Sequence, residues 1–195
     1  MDIFAPKPFH AGIDEVGRGP WAGPVMAAAV IWPEGVPLLE GVTDSKKLTA
    51  KKRELLAEQI MNLADVGVGS ASVEEIDRVN IRQATFLAME RAVEALENKP
   101  AFAWVDGNAI PGNLPCESEC VVKGDSRVYT IGCASIVAKV LRDAEMARLH
   151  DIFPYFAWDS NAGYGTKAHQ EGLKEAGVTP HHRRSFAPIR AILQG

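Results

Sequence analysis

The stretch Phe9-His10-Ala11-Gly12-Ile13-Asp14-Glu15-Val16-Gly17-Arg18-Gly19-Pro20-Trp21-Ala22-Gly23-Pro24-Val25-Met26-Ala27-Ala28-Ala29-Val30-Ile31 decides the fold. Phe9 to Glu15 reads as a short strand ending on two adjacent acids. The chain then turns through Gly17 to Pro20 and returns as a second strand from Gly23 to Trp32. Because Val25 to Ile31 contains no polar side chain, the returning strand is buried on both faces. Such a strand needs cover on both sides, so the hairpin is predicted at the centre of a sheet flanked by helices.

The rest of the chain fits around that hairpin. Past the loop Thr43 to Lys47, Leu55, Leu56, Ile60 and Leu63 fall near helical spacing behind Thr49, a candidate N-cap. Val66 to Val73 alternates as a strand, Ser72 to Glu75 matches a capping box, and Ile81 to Leu96 is amphipathic. Ala101 to Val105 is an apolar strand ending at Asp106-Gly107, and Cys120 to Val122 is another ending at Lys123-Gly124-Asp125. Tyr129 to His150 is the longest predicted helix, and Thr166 to Ala176 is predicted as the last, before a short basic tail. With no repeat or linker, the pattern predicts one α/β domain over residues 1–195. Its mixed sheet is flanked by helices and followed by a small C-terminal helical segment.

At 47% hydrophobic content, 195 residues can bury the core of one such domain. A net charge of -4 argues against a protein that grips nucleic acid by bulk charge, without excluding a nucleic-acid substrate. Local clusters at Lys46-Lys47, Lys51 to Arg53, Lys139 to Arg142 and Arg183-Arg184 still permit a basic face, and acids gathered around metal ions would be neutralised. Cys116, Cys120 and Cys133 are odd in number and form no CxxC pair, which argues against a disulfide framework or a zinc site and for a reducing cytoplasm. No basic-then-apolar leader and no run near ~18 apolar residues is present, so a cytoplasmic protein that makes no membrane contact is expected.

Asp14, Glu15, Asp106 and Asp125 all fall at predicted strand ends beside glycine or a turn, where ligands of α/β sheets collect. Three or four carboxylates suit Mg²⁺, a hard cation that prefers oxygen, and two such ions ~3.5 to 4 Å apart can hydrolyse a phosphodiester. An Asp before Gly is also an ordinary turn residue, so spacing alone leaves both readings open.

Six blocks carry a more specific signal. Gly12 to Pro24, Asp44 to Leu48, Val105 to Asn108, Lys123 to Asp125, Ala134 to Asp143 and Gly163 to Thr166 closely resemble, in order, those of type 2 ribonuclease H, the ribonuclease HII family. The resemblance runs from about Phe9 to Arg190. It implies an RNase H-like fold, dependence on Mg²⁺ or Mn²⁺, and hydrolysis leaving a 3′-hydroxyl and a 5′-phosphate. The substrate it implies is the RNA strand of an RNA/DNA hybrid or a ribonucleotide embedded in duplex DNA, cut on its 5′ side. That activity would serve ribonucleotide and RNA-primer removal in replication and repair. By position it assigns metal binding to Asp14, Glu15, Asp106 and Asp125, and recognition of the 2′-hydroxyl to the turn Gly17, Arg18 and Gly19 with Tyr164.

Lys46 and Lys47 follow Ser45 in a loop that locally reads first as a solvated charge pair before a helix, and the resemblance favours phosphate contact by its amides, hydroxyl and ammonium groups. Ser135, Lys139 and Arg142, at i, i+4 and i+7, are expected to share one polar helix face toward the substrate backbone, with Asp143 a structural charge. His169 is expected at the surface, and no histidine is assigned to catalysis. Gly132, where the family more often has alanine, is expected to bear on stability rather than chemistry. No Gln-rich aromatic tail suggests docking on a sliding clamp, and a monomer is expected. A sugar-kinase relative would need a second lobe that 195 residues leave no room for, and a binding module without activity is expected to lack one of the acids.

Overall fold

The computed structural model describes residues 4–195. Five strands, β1 (His10–Val16), β2 (Val25–Ile31), β3 (Asp65–Ala71), β4 (Phe102–Asp106) and β5 (Glu117–Val121), form one sheet in the order β3-β2-β1-β4-β5. The hairpin pairs β1 and β2 antiparallel, and β3 continues antiparallel beyond β2. On the other side β4 and β5 run parallel to β1, so the sheet is mixed and β1 lies at its centre.

Alternation along β1 and β2 divides the core in two. Ala11, Ile13, Ala27 and Ala29 face α2 (Val73–Glu94), together with Ala84, Ala88 and Ala92 of that helix. Ala28 and Val30 face α1 (Ala50–Leu63) and α3 (Tyr129–Ile152), packing with Leu56, Ile60, Ile136 and Val137. Small residues set the spacing between layers. A Cβ on Gly67 or Gly69 of β3 would lie 2.0 and 2.1 Å from the carbonyl oxygens of Ala92 and Ala88, so α2 could not seat against a strand with side chains there. A third cluster, including Ala22, Met146, Phe156, Trp158, Leu173 and Ile189, attaches the C-terminal helices to the distal part of α3. These helices are α4 (Trp158–Asn161), α5 (Lys167–Ala176) and α6 (Ala187–Gln194).

The two helical stretches predicted after β3 are upheld as two, since α2 consists of two helical parts that meet at a kink, Asn80 (φ 70°, ψ 163°), one residue before the expected second start. Several other sequence expectations are corrected. The fifth strand begins at Glu117 and stops at Val121, leaving Asp125 in a 3-10 turn, Gly124–Ser126. Thr166 caps α5, which is not the last helix, because α6 follows it. Leu55 and Leu63 of α1 are exposed, and Leu56, Ala57 and Ile60 form its buried stripe. No helix among the described residues is long and apolar enough to cross a membrane.

Candidate active site

Asp14 and Glu15 are consecutive in β1 and pair with Ala28 and Ala27 of β2. The strand's alternation directs them to opposite faces of the sheet, Asp14 toward α3 and Glu15 toward α2. Asp14 is 6% exposed, and its Oδ1 accepts the Glu15 N–H at 2.7 Å. Burial, with the neighbouring charges of Glu15 and Asp106, holds its carboxyl well above the usual carboxylate range. Burial also raises Glu15, opposed by Arg18, whose guanidinium lies 3.3 Å from the Glu15 carboxylate.

The parallel register delivers the third acid. Ile13 is matched with Val105, so Asp106, the last residue of β4, comes up beside Asp14. Its Oδ1 accepts the Gly124 N–H at 2.6 Å, which ties β4 to the turn that carries Asp125. Lys123, at φ 57° and ψ 42°, reverses the chain into that turn. Burial, then Asp44 and Asp106, raise the Asp125 carboxyl. A Cβ on Gly132 would sit 3.0 Å from the Asp125 carbonyl oxygen, so this glycine lets the start of α3 pack against the acid's own backbone. Gly132 therefore bears on the site as well as on stability.

All four acids line one cleft of ≈ 280 Å³, together with Gly17, Ser45, Lys46, Ser135, Lys139, Arg142 and Tyr164. A second cleft of ≈ 400 Å³ meets it at Glu15 and Asp106 and adds Arg18, Arg82, Phe86 and Asn108. A larger groove of ≈ 650 Å³ beside Met26, Glu74, Glu145 and His181 contains none of the acids. Ser45 lies in a 3-10 turn, Ser45–Lys47, capped by Asp44, and it accepts a hydrogen bond from the Ser135 hydroxyl at 3.1 Å. Lys46 and Lys47 are exposed, and only Lys46 lines the cleft. Lys139 pairs with Asp143 at 2.6 Å, and Lys139 lines the cleft while Asp143 does not. Tyr164 is 51% exposed and leans over the glycine turn, since a Cβ on Gly19 would come 3.1 Å from its ring.

Arg142 does not share an exposed polar face with Ser135 and Lys139. It is 1% exposed and donates to the carbonyls of Pro24, Ala162 and Ala22 at 3.0, 2.9 and 3.2 Å. Its guanidinium fills the space beside Gly17, where a Cβ would fall 2.1 Å from Nε. Arg183, expected in a basic tail, is fully buried and donates to the carbonyls of Gly17, Arg18 and Gly23. Arg183 thus holds the Gly17–Gly19 turn from behind, while Arg142 packs against Gly17 and holds the chain just beyond it at Ala22 and Pro24. Burial pushes Arg142 down to about 10 and, with help from Arg142, Arg183 down to about 9, so both remain cationic at neutral pH.

Comparison with known proteins agrees with this architecture. The family model described as Ribonuclease HII matches residues 11–189. The chain belongs to the ribonuclease HII family. A ribonuclease HII from Jannaschia sp. (strain CCS1) is 59% identical over 186 residues, covering 95% of this chain and 92% of the relative. One from Paramagnetospirillum magneticum is 60% identical, covering 91% and 90%. The crystal structure of ribonuclease H2 from Pyrococcus horikoshii OT3 superposes with a TM-score of 0.80 at 27% identity, covering 95% of this chain and 97% of that one. A chain of the PCNA:RNase HII complex from Archaeoglobus fulgidus gives 0.76 at 31% identity, covering 89% and 93%. Ribonuclease HII membership makes the chain a ribonuclease H, a hydrolytic endonuclease, on an RNase H-like α/β fold.

Sequence reasoning missed several residues around this ribonuclease HII site. Arg82 and Phe86 reach the second cleft from α2, with the Arg82 guanidinium 5.5 Å from the Phe86 ring centre. Arg183 is 166 residues from the Gly17 carbonyl it holds, a distance at which no spacing rule operates. His169, expected at the surface, is fully buried between Trp158 and His182. Among the described residues no three His, Cys, Asp or Glu side chains already stand at the spacing of a finished metal cage. The donor set is nevertheless suited to a hard cation: four carboxylates on one cleft, three of them raised by burial and mutual repulsion.

Proposed function

We propose that the chain hydrolyses the RNA strand of RNA/DNA hybrids and cuts on the 5′ side of ribonucleotides embedded in duplex DNA, leaving a 3′-hydroxyl and a 5′-phosphate. The observation that supports this reading best is the meeting of Asp14, Glu15, Asp106 and Asp125 on one cleft from three separate parts of the chain. Asp14 is nearly inaccessible, next to two other acids, and has no cationic side chain bonded to it among the described residues. Positive charge brought into the cleft would relieve that repulsion. In this reading the four acids hold Mg²⁺ or Mn²⁺. When bound, the ions supply charge neutralisation at the phosphate and an activated water.

The protein's own groups select and orient the phosphate. The Gly17–Gly19 turn, held by Arg183 through the Gly17 and Arg18 carbonyls, presents its backbone to the 2′-hydroxyl that separates RNA from DNA. Tyr164 lies over Gly19, so its ring and phenol adjoin the same sugar. Lys46, Ser45, Ser135 and Lys139 border the cleft as phosphate contacts. Lys47, exposed and outside the cleft, reaches flanking backbone only. The chain works as one catalytic domain and a monomer, in a cytoplasmic role of ribonucleotide and primer removal.

The decisive experiment is cleavage of an RNA/DNA hybrid and of duplex DNA with one ribonucleotide, with Mg²⁺ or Mn²⁺ against EDTA. Chelation is expected to abolish both activities. Asp14→Asn and Asp106→Asn are expected to slow them by about 10³-fold, the scale of losing several kcal/mol of charge stabilisation. Activity that survives chelation or both substitutions would remove the metal-ion reading.

A further inference from the structure

Behind Tyr164 lies a closed line of hydrogen bonds whose direction can be worked out from its ends. The Thr179 backbone N–H points at His182 Nδ1 at 3.0 Å, and the Thr179 hydroxyl lies 2.9 Å from the same nitrogen. An amide N–H can only donate, so His182 Nδ1 is an acceptor and the ring's proton sits on Nε2. At the other end, His169 Nδ1 lies 2.9 Å from the carbonyl oxygen of Tyr164. A carbonyl can only accept, so His169 carries its proton on Nδ1 and presents a bare Nε2. That bare nitrogen faces His182 Nε2 at 3.0 Å and Trp158 Nε1 at 3.2 Å, both donors. The sequence of donors therefore runs from Thr179 through His182 and His169 to the Tyr164 carbonyl, and both rings must be neutral for it to close.

The line is sealed from solvent. His169 and His182 are fully buried, and Phe156 and Trp158 pack against both rings. Burial lowers both imidazoles, His182 to about 3, in keeping with the neutral forms that the geometry requires. The Tyr164 carbonyl also accepts the Thr166 N–H at 2.8 Å, so two donors fix the peptide from which the exposed phenol ring projects.

We propose that His169 is a positioning residue for substrate selection: by donating from Nδ1 to the Tyr164 carbonyl, with His182 fixing its tautomer, it aims the Tyr164 ring over Gly19. The proposal rests on the reading of Tyr164 as a substrate contact. A side chain near the reacting centre that shifts by ~1 Å can cost up to about 10²-fold in rate. A loosened Tyr164 should thus be felt most on the substrate that offers a single 2′-hydroxyl.

Two substitutions separate positioning from support of the fold. In His169→Asn the amide nitrogen falls near the place of Nδ1, so the bond to Tyr164 survives while the acceptor for His182 and Trp158 is lost. In His169→Gln the amide reaches the place of Nε2, so that acceptor survives while the bond to Tyr164 is lost. The readout is the cleavage rate on one ribonucleotide in duplex DNA divided by that on a continuous RNA strand in a hybrid, followed with thermal unfolding. His169→Gln is expected to lower this ratio about tenfold, and His169→Asn to keep it near the parent value even with the lower melting temperature. Equal ratios in the two variants and the parent, or losses that track melting temperature alone, overturn the proposal. Tyr164→Ala is the control. If it changes the ratio while His169→Gln does not, the positioning role fails and the Tyr164 reading stands; if Tyr164→Ala leaves the ratio unchanged, both fall. Should either His169 variant fail to fold, nitrogen-edited NMR of the unaltered protein decides. A proton on Nδ1 of His169 and on Nε2 of His182 at neutral pH is expected, and the opposite tautomer or a charged ring in either position overturns the proposal.

Discussion

Arg142 and Arg183 are buried cations that hold backbone instead of carboxylates; neither forms a salt bridge among the described residues. The cost of burying a guanidinium is offset only if its planar fork finds several acceptors, and Arg183 finds three carbonyls with four hydrogen bonds. Lysine has the charge without the fork. Arg183→Lys is therefore expected to lower unfolding stability by about 2 to 3 kcal/mol, since it strands at least one buried carbonyl. It should also slow cleavage, because the Gly17–Gly19 turn is no longer held. Urea unfolding and a hybrid-cleavage assay check the two effects, and a variant with parent stability would show that the fork is not needed. At this scale the sequence was informative where function and local pattern coincide. Asp14, Glu15, Asp106 and Asp125 each stand beside a glycine or a turn, and the six blocks single them out. Arg183 and His169 were illegible for the opposite reason. Both are polar residues whose burial depends on acceptors supplied by distant backbone, the Gly17 and Gly23 carbonyls for one and the Tyr164 carbonyl for the other.

Among the elements, α2 shows how a helix can be interrupted without being lost. Ser72 and Glu75 form a reciprocal capping box at its start, and Asn80, at positive φ, caps the second part by accepting from the Arg82 and Gln83 amides at 3.0 and 3.2 Å. The second part is the one that lines the Glu15 cleft, through Arg82, Thr85, Phe86 and Met89. The first start was readable from its local capping box and the second from the amphipathic period that begins at Ile81, whereas the Asn80 cap was not read. The contact that spans the kink was not readable, because Arg91 holds Glu75 by two bonds of 2.7 and 2.9 Å across 16 residues of chain. Arg91 and the Ser72 amide hold the Glu75 carboxyl down, from 4.5 to about 2. A depressed carboxyl contributes stability that is complete above its unfolded value and disappears as pH falls through the folded one. Glu75→Gln is thus expected to cost about 1 kcal/mol at neutral pH, the pair being partly exposed to water. The difference from the parent should close as pH falls from 4.5 toward about 2, which chemical unfolding across that range measures. The α6 helix escaped the sequence reading because eight residues opened by Ala187-Pro188 offer one buried anchor, Ile189, too little for a period.

For the molecule as a whole, a net charge of -4 has to be reconciled with a polyanionic substrate. The mixed sheet does this by segregation. The C-terminal ends of β1 and β4 bring the acids together, and the turn at Ser45–Lys47 and the exposed side of α3 set Ser45, Lys46 and Lys139 around them. The opposite end of the sheet, where His10 is matched with Phe102, carries Lys99 in the loop before β4. Cations near the cleft should release counterions on binding, and a cation at the far end should not. Affinity for an RNA/DNA hybrid, measured without divalent ions over a range of salt, is expected to fall linearly on logarithmic axes despite the acidic total. Each of Lys46→Ala and Lys139→Ala should reduce the slope by about 0.9, the value for one lost contact with a duplex phosphate. Lys139 must leave Asp143 to reach a phosphate, so Asp143→Asn should tighten binding at low salt and leave the slope intact. Lys99→Ala should change neither. If Lys46→Ala and Lys139→Ala keep the parent slope, or Lys99→Ala reduces it as they do, substrate is not held at this end of the sheet by local charge.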